Sequence, residues 1–185
     1  MYETLKTDLI ASLSGTVLEI GAGTGRNFPH LSPGAEWIGL EPDRRLHAKL
    51  QASASRHARP NPRILPARAE SIPLADESVD AVVSTVVLCS VDDQSTALAE
   101  VSRVLRPGGR LVFFEHVAAP RGTWTRRLQR AWAPFSRRFD RGCDPVRDTA
   151  SAIERAEFAF VEFRRFAMPT GLGPTVPFIA GYARR

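Results

Sequence analysis

Three glycines stand at alternate positions after an acid: Glu19-Ile20-Gly21-Ala22-Gly23-Thr24-Gly25. Glycines between a strand and a helix let a ligand approach the main chain, because no Cβ stands in the way. Two phosphate chemistries use such loops. The dinucleotide fingerprint G-x-G-x-x-G needs its last glycine where Arg26 stands, and a Walker loop needs a lysine that is absent nearby. Both readings lose their key residue. Glu41, closing the next apolar run, sits where an acid would accept hydrogen bonds from a ribose diol, and its charge would repel a 2′-phosphate. His116 closes a later apolar run. It suits a general base or a substrate-orienting group, and equally an imidazole satisfied by backbone. Cys89 suits the lining of a reacting centre, or a small buried thiol.

Short apolar runs alternating with helical patterns position these residues, which argues for an α/β sheet with crossover helices. Strands are expected at Thr16–Ile20, Trp37–Leu40, Arg63–Leu65, Val79–Ser84 and Leu111–Phe114. Asp43 is placed to cap a helix over Arg44–Arg56. Gln94–Leu105 is amphipathic, with Leu98, Val101, Val104 and Leu105 on one face, and the turn Arg106-Pro107-Gly108-Gly109 follows. Val117–Arg147 is less regular. A short helix at Ser151–Ala156 and strands at Phe158–Phe166 and Phe178–Ala183 close the chain. Residues 1–185 are expected to form one domain with no repeat or low-complexity linker.

The composition narrows the class. With 185 residues, 43% apolar and 24% charged, the chain reads as an ordinary globular domain. No run is long enough to span a bilayer, and Met1–Leu13 is too mixed for a secretory leader. Cys89 and Cys143 have no CxxC or metal-ligand spacing, so a disulfide framework is not expected and the cytoplasm is the default compartment. The net charge of +5 permits an anionic partner without naming one.

The spacing E-x-G-x-G-x-G, opening on Glu19, resembles the first motif of class I S-adenosylmethionine methyltransferases, and the chain from Val17 onward resembles their Methyltransf_11 type. Narrower stretches are similar to one branch, the small alkyl-thiol methyltransferases, which in animals are membrane-associated. These are Ser78-Val79-Asp80-Ala81-Val82-Val83, Val87-Leu88-Cys89-Ser90-Val91, Val104-Leu105-Arg106-Pro107-Gly108-Gly109, Glu115-His116-Val117-Ala118-Ala119, Trp124, Gly142-Cys143 and Gly181-Tyr182-Ala183. The resemblance implies a Rossmann-like, doubly wound, seven-stranded mixed sheet whose last strand pair is antiparallel. It implies S-adenosyl-L-methionine as cofactor. The apolar N-terminal anchor of the animal relatives is not carried over as an expectation, because this chain departs from them by beginning barely one helix before its first strand, although peripheral membrane contact is allowed. Cover for the substrate is then expected from elsewhere in the chain or from another subunit.

The resemblance also distributes roles. Glu19, Gly21, Ala22, Gly23 and Gly25 shape the cofactor loop, and Asn27 bonds the amino-acid tail. Glu41 and Pro42 meet the ribose, while Ala69, Glu70 and Ser71 lie on the adenine side. Backbone from Thr85 and Val86 to Leu88 passes the methionine part. His116 is the acid–base candidate, and no metal is assigned. The fourth strand's end lacks the [DN]-P-P-[YF] element that holds a planar amino group, which argues against base N-methylation. The acceptor is expected to be a small, rather apolar molecule, with a thiol favoured by resemblance. An O- or N-acceptor such as a quinone, phenol or lipid headgroup is the alternative. A nucleic-acid module is disfavoured because no strand interleaves aromatic and basic residues. Trp124, Leu128, Trp132 and Phe135 share a helical face limited by Pro134, flanked by Arg126, Arg127, Arg130, Arg137 and Arg138. That face is read first as a cap over an apolar substrate, with an interfacial membrane helix and ordinary packing with a solvated basic face as the alternatives. Asp140, Cys143, Asp144 and Arg147 have no role assignable from sequence; an Asp140–Asp144 metal pair is the less favoured reading. His30, His47 and His57 are expected at the surface.

Overall fold

The computed structural model describes residues 2–59, 61–170 and 173–185. Its strands are β1 (Thr16–Ile20), β2 (Glu36–Leu40), β3 (Arg63–Leu65), β4 (Val79–Thr85), β5 (Leu105–His116), β6 (Phe160–Thr170) and β7 (Gly173–Arg184). They form one mixed sheet in the order β3-β2-β1-β4-β5-β7-β6. The first five are parallel, while β7 runs antiparallel to both β5 and β6. This is the doubly wound, Rossmann-like architecture expected from the sequence.

Strand alternation assigns each side chain to one of two cores. Leu18, Ile20, Leu40, Val82, Leu111 and Phe113 pack with α3 (Gln94–Val104) and α5 (Thr149–Arg155). Val17, Trp37, Val83 and Val112 face the other way, against Ile10 and Leu13 and against Leu50 and Ala54 of α2 (Arg44–Arg56). Ile10 lies on α1 (Tyr2–Ala11), so the N-terminal helix belongs to the core. Because β1 lies between β2 and β4, the chain reverses its winding direction there, and a crevice opens beyond the carboxyl ends of β1 and β4.

The first three strands and α2 fall within a residue of expectation, and the Asp43 carboxylate caps α2 by accepting from Arg45 N. The closing elements move: α5 begins at Thr149 rather than Ser151, β6 spans Phe160–Thr170 rather than Phe158–Phe166, and β7 spans Gly173–Arg184 rather than Phe178–Ala183. Two other elements differ further. β5 begins at Leu105 rather than Leu111, since Leu105 already pairs with Val79 and pairing resumes at Ala81 with Arg110. The Arg106–Gly109 turn is thus a bulge within the ladder. The irregular stretch contains a full helix, α4 (Trp124–Phe139), which runs through Pro134 instead of stopping there. Proline removes one helical hydrogen bond, to the carbonyl four residues back. That residue, Arg130, is exposed, so water can take the freed carbonyl.

Candidate active site at the strand ends

The glycine loop turns directly off β1 into the crevice, and Gly21, Gly23 and Gly25 all have positive φ. A Cβ on Gly25 would stand 2.2 Å from the Phe28 ring, so that position must stay bare for the turn to close. At Gly23 the reason differs. A Cβ there would meet only Gly21 O at 3.8 Å, so the space above it is open to a ligand. Ala22 N bonds Leu40 O, pinning the loop to the end of β2. The buried Glu41 carboxylate completes the clamp, accepting from Gly23 N at 2.8 Å and Asp43 N at 2.9 Å. Each oxygen keeps a second lone pair for a diol. His47 Nε2 lies 2.8 Å from the Glu41 carbonyl, so this histidine supports the clamp rather than facing solvent alone.

Beneath the loop is a buried polar knot. Glu19 accepts from Asn27 Nδ2 at 2.9 Å and Trp37 Nε1 at 2.8 Å. Asn27 Nδ2 also donates to Thr85 Oγ1 at 3.0 Å. These two bonds fix the amide's orientation, since the flipped amide would set oxygen against the carboxylate. Its Oδ1 is left buried without a partner. Burial pushes the Glu19 carboxyl up to about 7, against the pull of its bonds to Trp37 and Asn27 and of the Lys6 charge.

Two adjoining cavities flank Gly21 and Val86. The smaller, about 240 Å³, is walled by Leu40, Glu41, Pro42, Ala67, Ala69, Glu70, Val87 and Val91. Pro42, Ala69 and Glu70 therefore stand together with Glu41. Glu70 is also engaged structurally, accepting from Asp92 N at 2.6 Å. Ser71 is exposed and lines neither cavity, and Leu88 is buried with its carbonyl given to Gln94 Nε2. Val86 lines both cavities at φ 56, a conformation costing a β-branched residue about 1–3 kcal/mol. Glu115, buried at the end of β5, holds that turn by accepting from Ser84 Oγ and Val87 N.

The larger cavity, about 630 Å³, runs from Gly21–Thr24 and Asn27 past Thr85 to Phe114, His116, Asp140, Cys143, Met168 and Phe178. At its far wall His116 Nε2 lies 2.9 Å from Cys143 Sγ, both residues buried. Cys89 completes the group: its sulfur, the Cys143 sulfur and a His116 ring nitrogen lie within 4.8 Å of one another. The Cys89 hydrogen bond and then the His116 imidazole hold the Cys143 thiol well below the ordinary thiol range, although burial opposes them. Cys89 is pushed up by the same pairing and by burial. Burial pulls His116 down, but the Cys143 sulfur and the charges of Glu115 and Asp140 more than offset it, so its pKa is raised.

One expectation needs correction, and one reading already disfavoured is removed. The α4 aromatics do not cap this cavity: Trp124, Trp132, Phe135 and Phe139 are 69%, 57%, 50% and 70% exposed, while Gln129, Ala133 and Ser136 form the buried stripe. Only the loop after α4 reaches the cavity. Nor do Asp140 and Asp144 form a pair for a metal, because Asp144 is taken by Arg137 at 2.9 Å. Arg147 donates to the Val91 carbonyl and braces the loop after β4.

The family model described as a methyltransferase domain matches residues 18–113. The human thiol S-methyltransferase TMT1B is 36% identical over 191 residues, covering 98% of this chain and 78% of that one. Human thiol S-methyltransferase TMT1A is 38% identical, with 91% and 70% covered. The chain belongs to the methyltransferase domain family. Among solved structures, a putative methyltransferase from Bacillus halodurans superposes with a TM-score of 0.78 at 17% identity, covering 100% of this chain and 99% of that one. The [4+2]-cyclase SpnF superposes almost as well, at 0.76 and 18% identity with 97% and 79% covered, so the fold alone does not fix the reaction.

The methyltransferase takes S-adenosyl-L-methionine as cofactor, and the residues present fit it. The orphaned Asn27 Oδ1 offers an acceptor for an ammonium, Gly23 leaves an open cradle, and Glu41 has free lone pairs beside it. Sequence reasoning gave no role to Trp37 or Glu115, and it named Cys143 among residues able to reach the substrate without assigning it one. Trp37 reads as core packing, and Glu115 as one more acid after a strand. Cys143 reaches His116 only through tertiary structure.

Proposed function

We propose that this methyltransferase transfers a methyl group to the sulfur of a small, rather apolar thiol. The observation that carries this is the buried imidazole–thiol pair of His116 and Cys143, set in a cavity continuous with the glycine loop and floored by Phe114, Met168 and Phe178. The names of the human relatives support the same acceptor. When bound, S-adenosylmethionine supplies an electrophilic methyl on a sulfonium. The chain's own groups do the rest. Asn27 and Glu19 hold the amino-acid tail, Glu41 with Pro42 holds the ribose, and Ala69 with Glu70 walls the adenine side. Thr85 and Val86 pass the methionine part. An apolar floor desolvates the nucleophile, and in-line positioning supplies most of the acceleration. An alkyl thiol ionises near 8.5, so modest help at the cavity wall makes it reactive at neutral pH. The group at that wall is His116 with its sulfur neighbours.

A concave cavity floored by Phe114, Met168 and Phe178 favours a small molecule over a nucleic acid. The two buried, unbridged cysteines favour a reducing compartment such as the cytoplasm. Among the described residues, no helix is long and apolar enough to cross a membrane. The test is methyl transfer from labelled S-adenosylmethionine to matched small thiols, phenols and amines. Product on the thiols alone is expected. Product on phenols or amines alone overturns the thiol reading.

A further inference from the structure

Cys89, His116 and Cys143 come from three separate elements, each 27 positions from the next, and converge at the wall of the larger cavity. Cys89 follows β4, His116 ends β5, and Cys143 lies on the loop after α4. Two contacts fasten the arrangement: Asp144 N donates to Cys89 O at 3.0 Å, and His116 pairs with Phe178 across β5 and β7. The donor atoms lie within 4.8 Å of one another, on three residues that are all buried. Packing three soft or borderline donors this closely, out of water, has one well-attested use. Two thiolates and an imidazole form a tetrahedral zinc site with its fourth position open.

We propose that Cys89, His116 and Cys143 bind one zinc ion whose open position faces the substrate cavity and receives the acceptor thiol. The open direction follows from burial: His116, Cys143 and Ser90 line the cavity, whereas Cys89 stands behind them, fully buried. Zinc–sulfur and zinc–nitrogen bonds of about 2.3 and 2.0–2.1 Å set tetrahedral N···S edges near 3.5 Å. The 2.9 Å contact between His116 and Cys143 therefore opens by some tenths of an ångström when the proton they share and the Cys89 S–H proton both pass to solvent and the ion enters. Outer partners are in place. Ser90 Oγ is 3.4 Å from Cys89 Sγ, and the buried Ser136 hydroxyl hydrogen-bonds Cys143.

The substrate part of this proposal rests on the thiol reading above. On ligation the acceptor's S–H proton passes to solvent and its sulfur remains as a thiolate. That sulfur forms a bond to the methyl carbon while the sulfonium C–S bond breaks, leaving its electron pair on the departing thioether sulfur. The ion is neither oxidised nor reduced, and no further reactant is required. In this state His116 is a ligand, and the ion lowers the acceptor's pKa in place of a base.

The experiment uses the purified full chain and metal alone. Zinc competition against a chromophoric chelator is expected to give one equivalent bound per chain. Cobalt substitution is expected to give tetrahedral ligand-field bands with thiolate charge transfer, and a small alkyl thiol should shift them. Cys143→Ser and His116→Ala should each weaken zinc at least about 100-fold while retaining S-adenosylmethionine binding, which reports the fold. Where a variant fails to fold, protection of both wild-type cysteines from alkylation by added zinc replaces it. Absence of stoichiometric binding overturns the site. Cobalt bands that ignore thiols overturn its substrate role. Full thiol turnover by the metal-stripped chain overturns zinc but leaves the thiol reading intact, whereas zinc binding with no thiol turnover in any state overturns the thiol reading and the substrate role while the metal site stands.

Discussion

Glu41 and Glu19 are both buried carboxylates, but their surroundings divide the labour between them. Glu41 accepts two backbone N–H groups that hold the cofactor loop. Glu41→Ala removes the clamp and the ribose acceptor together, and hydrogen bonds to a charged group are worth about 1.5–3 kcal/mol each. Affinity for S-adenosylmethionine should fall about 10- to 100-fold in calorimetry, with the fold retained by circular dichroism. Burial pushes Glu19 up to about 7 in the folded protein, against about 4.5 for an exposed glutamate. Between those values the folded state binds more protons than the unfolded one, so stability must fall as pH rises from about 4.5 to 7 and then level off. The whole step is on the order of 3 kcal/mol. Thermal unfolding midpoints of the cofactor-free protein across that window should show the decline, and Glu19→Gln should flatten it. His116→Ala is expected to slow turnover with cofactor affinity nearly unchanged; equal rates across several pH values would remove His116 from the reaction.

At the scale of elements, β7 carries more of the site than its position suggests. It pairs with β5 on one side and β6 on the other, and Phe178 near its middle, the ladder partner of His116, lines the larger cavity beside it. The close approach of β6 depends on Gly181. A Cβ there would lie 2.0 Å from Glu162 O and 2.5 Å from Phe163 Cα, both backbone atoms that cannot swing away. Gly181→Ala should cost about 1–3 kcal/mol or more in urea unfolding, and should raise KM for the acceptor more than for the cofactor. Much of this architecture was legible in the sequence. β1, β2, β3 and α2 carry short-range signals: apolar runs that end at Gly21, Glu41 and Pro66, and an aspartate cap. α4 was less legible because Pro134 reads as a stop, and only the exposure of Arg130 shows why the helix passes it. The aromatic stripe of α4 was placed on the right helix and assigned the wrong side. Helical periodicity marks a shared face but does not say where that face points.

Across the whole molecule, the cofactor side and the acceptor side of the site differ in how they are encoded. The cofactor side is read from a contiguous loop, Glu19–Asn27, plus Glu41 one strand later. The proposed acceptor side is assembled from Cys89, His116 and Cys143, and no local spacing announces it. It exists because β4 and β5 pair in parallel, Thr85 against Phe114, which brings the residues just beyond both strand ends together. The loop after α4 then folds back over them. That return is fastened by two main-chain bonds, one from Ala118 N to Arg147 O and one, beside the sulfurs themselves, from Asp144 N to Cys89 O. The deuterium exchange rate of the Asp144 amide is therefore a clock for how often the sulfur-bearing loop lifts away. Slow exchange, comparable with the β5 amides, would mean that acceptors enter through the existing mouth of the cavity. Exchange orders of magnitude faster than in β5 would make this loop the door, and residence of the methylated product would be timed by it.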